Sequence, residues 1–207
     1  MEITIDILDE YLNKYIPIAY KFSGINKKDL RKKTQIYNRR LNNILSINNP
    51  EKVYYEPHCI FDLLLLSENN NIDNKWYKEF LYHIDKIVKR LKNKVDISHH
   101  KVLKNTIKQI ILSLKEQIDN QKQYLDFFGE IFGLDFFLSQ DDKFKLIDIE
   151  KKLPNGKSVD FVFKHDDDFL PLYIDFFSIH NINPNKLNTE MEFVKFFEDR
   201  FNKKIRG

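Results

Sequence analysis

The stretch Ser158-Val159-Asp160-Phe161-Val162-Phe163-Lys164-His165, followed after a short gap by Leu172-Tyr173-Ile174-Asp175-Phe176-Phe177, decides the fold. Both segments carry β-branched and aromatic residues with the two-residue period of a strand that turns one face to a core. Between them stands Asp166-Asp167-Asp168-Phe169, a four-residue loop of a length common in hairpins. Pairing about that turn sets Val159 against Phe176, Phe161 against Ile174 and Phe163 against Leu172, which builds one continuous apolar face. On the other face Asp160 falls directly opposite Asp175. Two facing carboxylates repel. A divalent cation bridging them, a neighbouring Lys or Arg, or a one-residue change of register each relieves the repulsion.

Outward from the hairpin, three alternating strands are predicted at about 144–150, 158–164 and 170–178, with Leu153-Pro154-Asn155-Gly156 as the turn before the second. The preceding segment, Tyr124 to Leu138, is apolar nearly all round and predicts a helix buried on most sides. Glu130 lies inside it, in Phe127-Phe128-Gly129-Glu130-Ile131-Phe132, where a carboxylate has little polar surface to occupy. A narrow solvent stripe shared with Asp126 is the plain alternative. Gly129 and Gly133 flank it as points of close packing. Beyond the strands, Asn183-Pro184-Asn185 breaks the chain, and the capping box Thr189-Glu190-Met191-Glu192 opens a last helix carrying Phe193, Phe197 and Phe201.

The first 120 residues read as helices. Ile5, Leu8, Leu12 and Tyr15 mark one face of a helix that Pro17 ends or kinks, and Ser23-Gly24-Ile25-Asn26 is a break. Helices are predicted at about 27–47, stopped by Asn48-Asn49-Pro50, and at 59–67. A fourth runs from Trp76 to Val95, with Trp76, Phe80, Ile84, Val88 and Leu91 inward. A fifth follows from Leu103 to Ile118, its start capped by Ser98. The change of period near 120 divides the chain into a helical region, 1–120, and an α-β-β-β-α domain, 121–207.

Composition excludes several classes. With 207 residues, 42% hydrophobic and 31% charged, the chain is globular rather than disordered. A single cysteine, Cys59, rules out an internal disulfide framework and a cysteine zinc cluster. No apolar run nears the ~18 residues of a membrane span, since Phe61 to Leu66 is short and interrupted by Asp62. The acidic start, Met1-Glu2-Ile3-Thr4-Ile5-Asp6, is unlike a signal peptide, so the expected location is the cytoplasm. Residues 1–120 hold 21 Lys/Arg against 15 Asp/Glu, whereas residues 121–207 hold 13 against 16. That asymmetry suits a nucleic-acid handler with a basic contact region and acidic metal ligands, and it equally suits solvated helix faces. The basic runs are Lys27, Lys28, Arg31, Lys32, Lys33 with Arg39 and Arg40, and Lys86, Lys89, Arg90, Lys92 and Lys94. Adjacent His99 and His100 diverge on a helix and fit a helix start better than a metal site. Cys59 beside His58 reads as a buried structural thiol.

Taken together, Glu130 on a helix, then strands with Gly156-Lys157-Ser158-Val159-Asp160-Phe161 and Leu172-Tyr173-Ile174-Asp175-Phe176-Phe177, then a helix, resembles the restriction-endonuclease-like PD-(D/E)xK superfamily over about residues 124–205. The resemblance implies an α+β fold: an αβββα core with a small mixed sheet behind the helical N-terminal region. It also implies cleavage of DNA or RNA phosphodiesters with Mg²⁺ or Mn²⁺ held by Glu130, Asp160 and Asp175. In that chemistry a lysine positions water and steadies developing charge. Here Val159 replaces the motif's proline, and Phe177 stands at the lysine position. Lys157, Lys164 and His180 are the groups near enough in sequence to substitute for it. The resemblance also implies a fourth core strand after the last helix, expected either from a longer form of the chain or from another segment or subunit. Three functions therefore compete: a metal-dependent nuclease, a catalytically inactive nuclease-fold module that binds nucleic acid or a protein partner, and a plain α+β interaction protein.

Overall fold

Thr4 starts the first helix by accepting the Ile7 amide on its hydroxyl at 3.3 Å. In the computed structural model, which describes residues 3–45, 57–69, 74–114, 123–140, 144–154, 156, 158–166 and 170–175, that helix is α1 (Ile5–Tyr15). Pro17 does more than end it: proline sits at the first position of a new helix, α2 (Pro17–Ser23), where its missing N–H costs nothing. Ile16 offers α2 no side-chain cap, so Asp85 supplies one from a distant helix, accepting the Ala19 amide at 2.8 Å. Burial there pushes the Asp85 carboxyl above its ordinary pKa. Gly24 ends α2 with φ +68°, a left-handed conformation that favours glycine. Asn26 then accepts the amides of Lys28 and Asp29, and α3 (Lys27–Leu45) begins.

The apolar segment after Cys59 is helical, as its length suggests: α4 (Ile60–Glu68) buries Ile60, Phe61, Leu63 and Leu64. The amphipathic stretch from Lys75 forms α5 (Lys75–Lys94), and a 3₁₀ turn (Ile97–His99) leads into α6 (His100–Leu112). Two local expectations are corrected. Asp96, not Ser98, is the cap here: its carboxylate caps the 3₁₀ turn before α6, accepting hydrogen bonds from both the amide and the hydroxyl of Ser98. Trp76 is not inward; it is 58% exposed at the first turn of α5, stacked on Phe80 at 5.5 Å.

The helix predicted around Glu130 is α7 (Gln123–Gln140). It is buried or half-buried on most sides, as expected, with one open flank. Ile131, Leu134 and Leu138 are inward, while Phe132 and Phe136 are about half exposed on the opposite flank. α7 is fixed to α5 by the buried Asp135, which accepts two hydrogen bonds from Arg90.

Three strands follow: β1 (Phe144–Lys152), β2 (Ser158–His165) and β3 (Leu172–Ile174), in the order β1-β2-β3. All described pairs are antiparallel, so among the described residues the sheet is antiparallel and not the mixed one that the resemblance implies. The β2–β3 register is the predicted one, with Phe161 opposite Ile174 and Phe163 opposite Leu172. Phe163 is fully buried, and its ring lies 5.4 Å from Phe137 of α7 and 6.5 Å from Phe144 of β1. The result is a mostly helical α+β protein whose buried cluster continues from Ile3 in the helices through Phe163 in the sheet. The final helix predicted from Thr189 lies outside the described residues.

Candidate functional site

Two elements bring the sequence-predicted carboxylates toward each other. Glu130 projects from the middle of α7, and Asp160 sits near the start of β2; both are half-buried. Both line one small cavity, together with Leu103 and Thr106 of α6, Leu134 of α7 and Ile149 of β1. Its volume is about 10 Å³, room for a single water or ion. The last recorded β2–β3 pair is Phe161 with Ile174; the next positions outward are Asp160 and Asp175, the latter half-buried and one residue past the end of β3. Asp175 is not among the described residues that line the cavity.

A third lining carboxylate, Glu150, was not legible in the sequence. β1 pairs Ile149 with Phe161 and Lys151 with Val159, which puts Glu150 across from Asp160. Two irregularities in β1 produce this. A bulge between Leu146 and Asp148 shifts the pairing by one residue, and Glu150 adopts φ +55°, the left-handed region that non-glycine residues seldom occupy. A bulge reverses the apparent in–out alternation, so periodicity alone cannot find such a residue.

The donor chemistry of these side chains suits a hard dication, since carboxylate oxygens are the ligands that Mg²⁺ and Mn²⁺ take. The geometry stops short of a complete shell. Among the described residues, no three His, Cys, Asp or Glu side chains come close enough together to hold a metal ion. Of the groups considered in place of the motif lysine, Lys164 lies exposed toward the far end of β2, opposite Lys145. Lys157, Phe177 and His180 lie outside the described residues.

Other residues singled out in the sequence have structural work. Arg40, read as part of a basic face, is buried and pairs with the fully buried Asp62 at 3.2 Å. Asp62 also accepts the Tyr37 hydroxyl at 2.7 Å and the His58 amide at 2.8 Å. The signal for this cluster was available: a carboxylate inside the apolar run Phe61 to Leu66 demands partners. Cys59 beside it is free and buried, and burial pushes its thiol well up, which disfavours the thiolate form. Lys33 donates to the Leu114 carbonyl, Lys108 pairs with Asp29 at 2.6 Å, and Lys94 donates to the Leu138 carbonyl. Arg90 is taken up by Asp135. The basic runs are thus divided between helix packing and solvent. His100 begins α6 and contacts the Val95 carbonyl at 3.0 Å, a helix-start role.

No protein-family model, no curated protein and no solved structure matches this chain. No helix among the described residues is long and apolar enough to cross a membrane.

Proposed function

We propose that this is a nuclease-like protein that acts on phosphodiesters of DNA or RNA with Mg²⁺ or Mn²⁺, its acidic site formed by Glu130, Asp160 and Asp175. The observation that supports the reading is the β2–β3 register, which ends at Phe161 opposite Ile174 and, extended by one residue, brings Asp160 across from Asp175, together with the cavity that Asp160 shares with Glu130. Facing carboxylates are unfavourable unless a cation or a hydrogen-bond donor offsets them, and such pairs are common at sites that hold hard cations. The described residues alone do not close three such donors around one point.

A second reading rests on Phe177. Phenylalanine at the motif's lysine position has no group to orient water or to stabilise a developing anion. On that reading the domain is a non-catalytic descendant that binds nucleic acid.

One experiment separates the two. Labelled single- and double-stranded DNA and RNA are incubated with wild-type protein in Mg²⁺, Mn²⁺ or EDTA, alongside Asp160→Asn and Asp175→Asn. The nuclease reading expects cleavage only with a divalent cation and a loss of about 100-fold or more in either variant, comparable to removing a transition-state contact. Absence of cleavage by wild-type protein under every condition, with binding retained, establishes the non-catalytic reading instead.

A further inference from the structure

The helix α5 turns its apolar side inward: Leu81, Ile84, Ile87, Val88 and Leu91 are buried. The outward arc carries Lys75, Lys78, Tyr82, Lys86 and Lys89, all exposed. The residues called basic in the sequence do not all contribute, since Arg90 and Lys94 are drawn onto α7. What remains outward is a cationic line with an aromatic ring in it. Tyr82 is 54% exposed, and the Lys86 ammonium lies 4.4 Å from its ring centre. Trp76, also largely exposed, stands at the N-terminal rim of the same helix. Glu79 is the acid on this arc and is paired with Lys75 at 3.9 Å, while Asp85, the other acid of α5, is buried under α2.

We infer that the outer face of α5, centred on Tyr82, Lys86 and Lys89, is a binding surface for single-stranded nucleic acid. Lysines spaced along a helix track a phosphate backbone, and an exposed ring offers a platform for an unpaired base. The ring favours a single strand, because the bases of a duplex are already stacked on one another. A lipid surface fits less well: interfacial helices bury an apolar face in the membrane, and the apolar face of α5 is already in the core. The inference shares with the proposed function the premise that the ligand is nucleic acid, and it involves none of the three carboxylates.

Fluorescence anisotropy with labelled oligo(dT) in EDTA tests it, so that cleavage plays no part. Charge reversal in K86E/K89E should weaken binding at least about 10-fold and make the logarithmic salt dependence shallower by roughly 0.7 per lysine. Tyr82→Ala should weaken binding about 10-fold and Tyr82→Phe should restore it, as stacking needs the ring and not the hydroxyl. These side chains are exposed, so the variants should melt as wild type does, which circular dichroism confirms. The inference is overturned if wild-type protein does not bind oligo(dT), if K86E/K89E binds unchanged, or if the matched reversal K28E/K32E on α3 weakens binding equally. Binding to phosphatidylserine vesicles with none to oligo(dT) would overturn it in favour of a lipid surface. Loss of binding in K86E/K89E alongside absent cleavage by wild-type protein leaves this surface standing while removing the catalytic reading.

Discussion

Replacing Asp62 by alanine should lower the unfolding free energy by about 3–5 kcal/mol, as expected when one partner of a buried ion pair is removed. Asp62 is fully buried and serves three donors at once: the Arg40 guanidinium, the Tyr37 hydroxyl and the His58 amide. Its loss strands a guanidinium that lies beside Cys59 and is almost wholly shielded from bulk solvent. The T-shaped contact of Tyr37 with Phe61, with centroids at 5.6 Å, is expected to shift as the phenol seeks a new acceptor. Urea unfolding of Asp62→Ala, Arg40→Met and the double variant forms a thermodynamic cycle. Recovery of much of the lost stability in the double variant is expected, because removing both charges abolishes the uncompensated one. A loss below about 1 kcal/mol in the single variant would mean that water reaches this pair.

The second large effect is expected at Phe163. Phe163→Ala should cost about 3–5 kcal/mol, the usual range for emptying an aromatic site in a packed core. The ring is fully buried and bridges α7 and β1 through Phe137 and Phe144, so the cavity opens where the sheet meets the helices. Its cross-strand neighbour provides the control. Leu172 is 43% exposed, and Leu172→Ala should cost much less, near 1 kcal/mol or below. Equal losses at the two positions would show that the sheet is held by the hairpin alone and not by its contact with α7.

The contrast between these two residues shows what the sequence made legible. Alternation led to the hairpin register that pairs Phe161 with Ile174 and Phe163 with Leu172, although Val162 between the two rings is fully buried as well, so β2 is covered on both faces at that point. The facing of Asp160 and Asp175 is an extension of that register by one residue. What periodicity did not reveal was local and irregular: the bulge at Leu146/Asp148 and the positive φ that brings Glu150 to the cavity of Glu130 and Asp160. The exposed Phe132 and Phe136 were also misread, since apolar character all round a helix does not distinguish burial from an open aromatic flank. Charge runs misled in a similar way. Arg40 and Arg90 lie in basic stretches, yet each is held by an aspartate brought from a segment far along the chain, information that a local window lacks.

The central claim, that Glu130, Asp160 and Asp175 form a cation-binding acidic site, is tested most directly by following free Mn²⁺ by electron paramagnetic resonance as protein is added. Binding removes the sharp aqueous Mn²⁺ signal without requiring any substrate. The claim predicts stoichiometric loss of that signal with wild-type protein, competition by Mg²⁺, and no comparable loss with Asp160→Asn or Asp175→Asn at equal folded content. An undiminished signal with wild-type protein, or equal uptake by both variants, contradicts it.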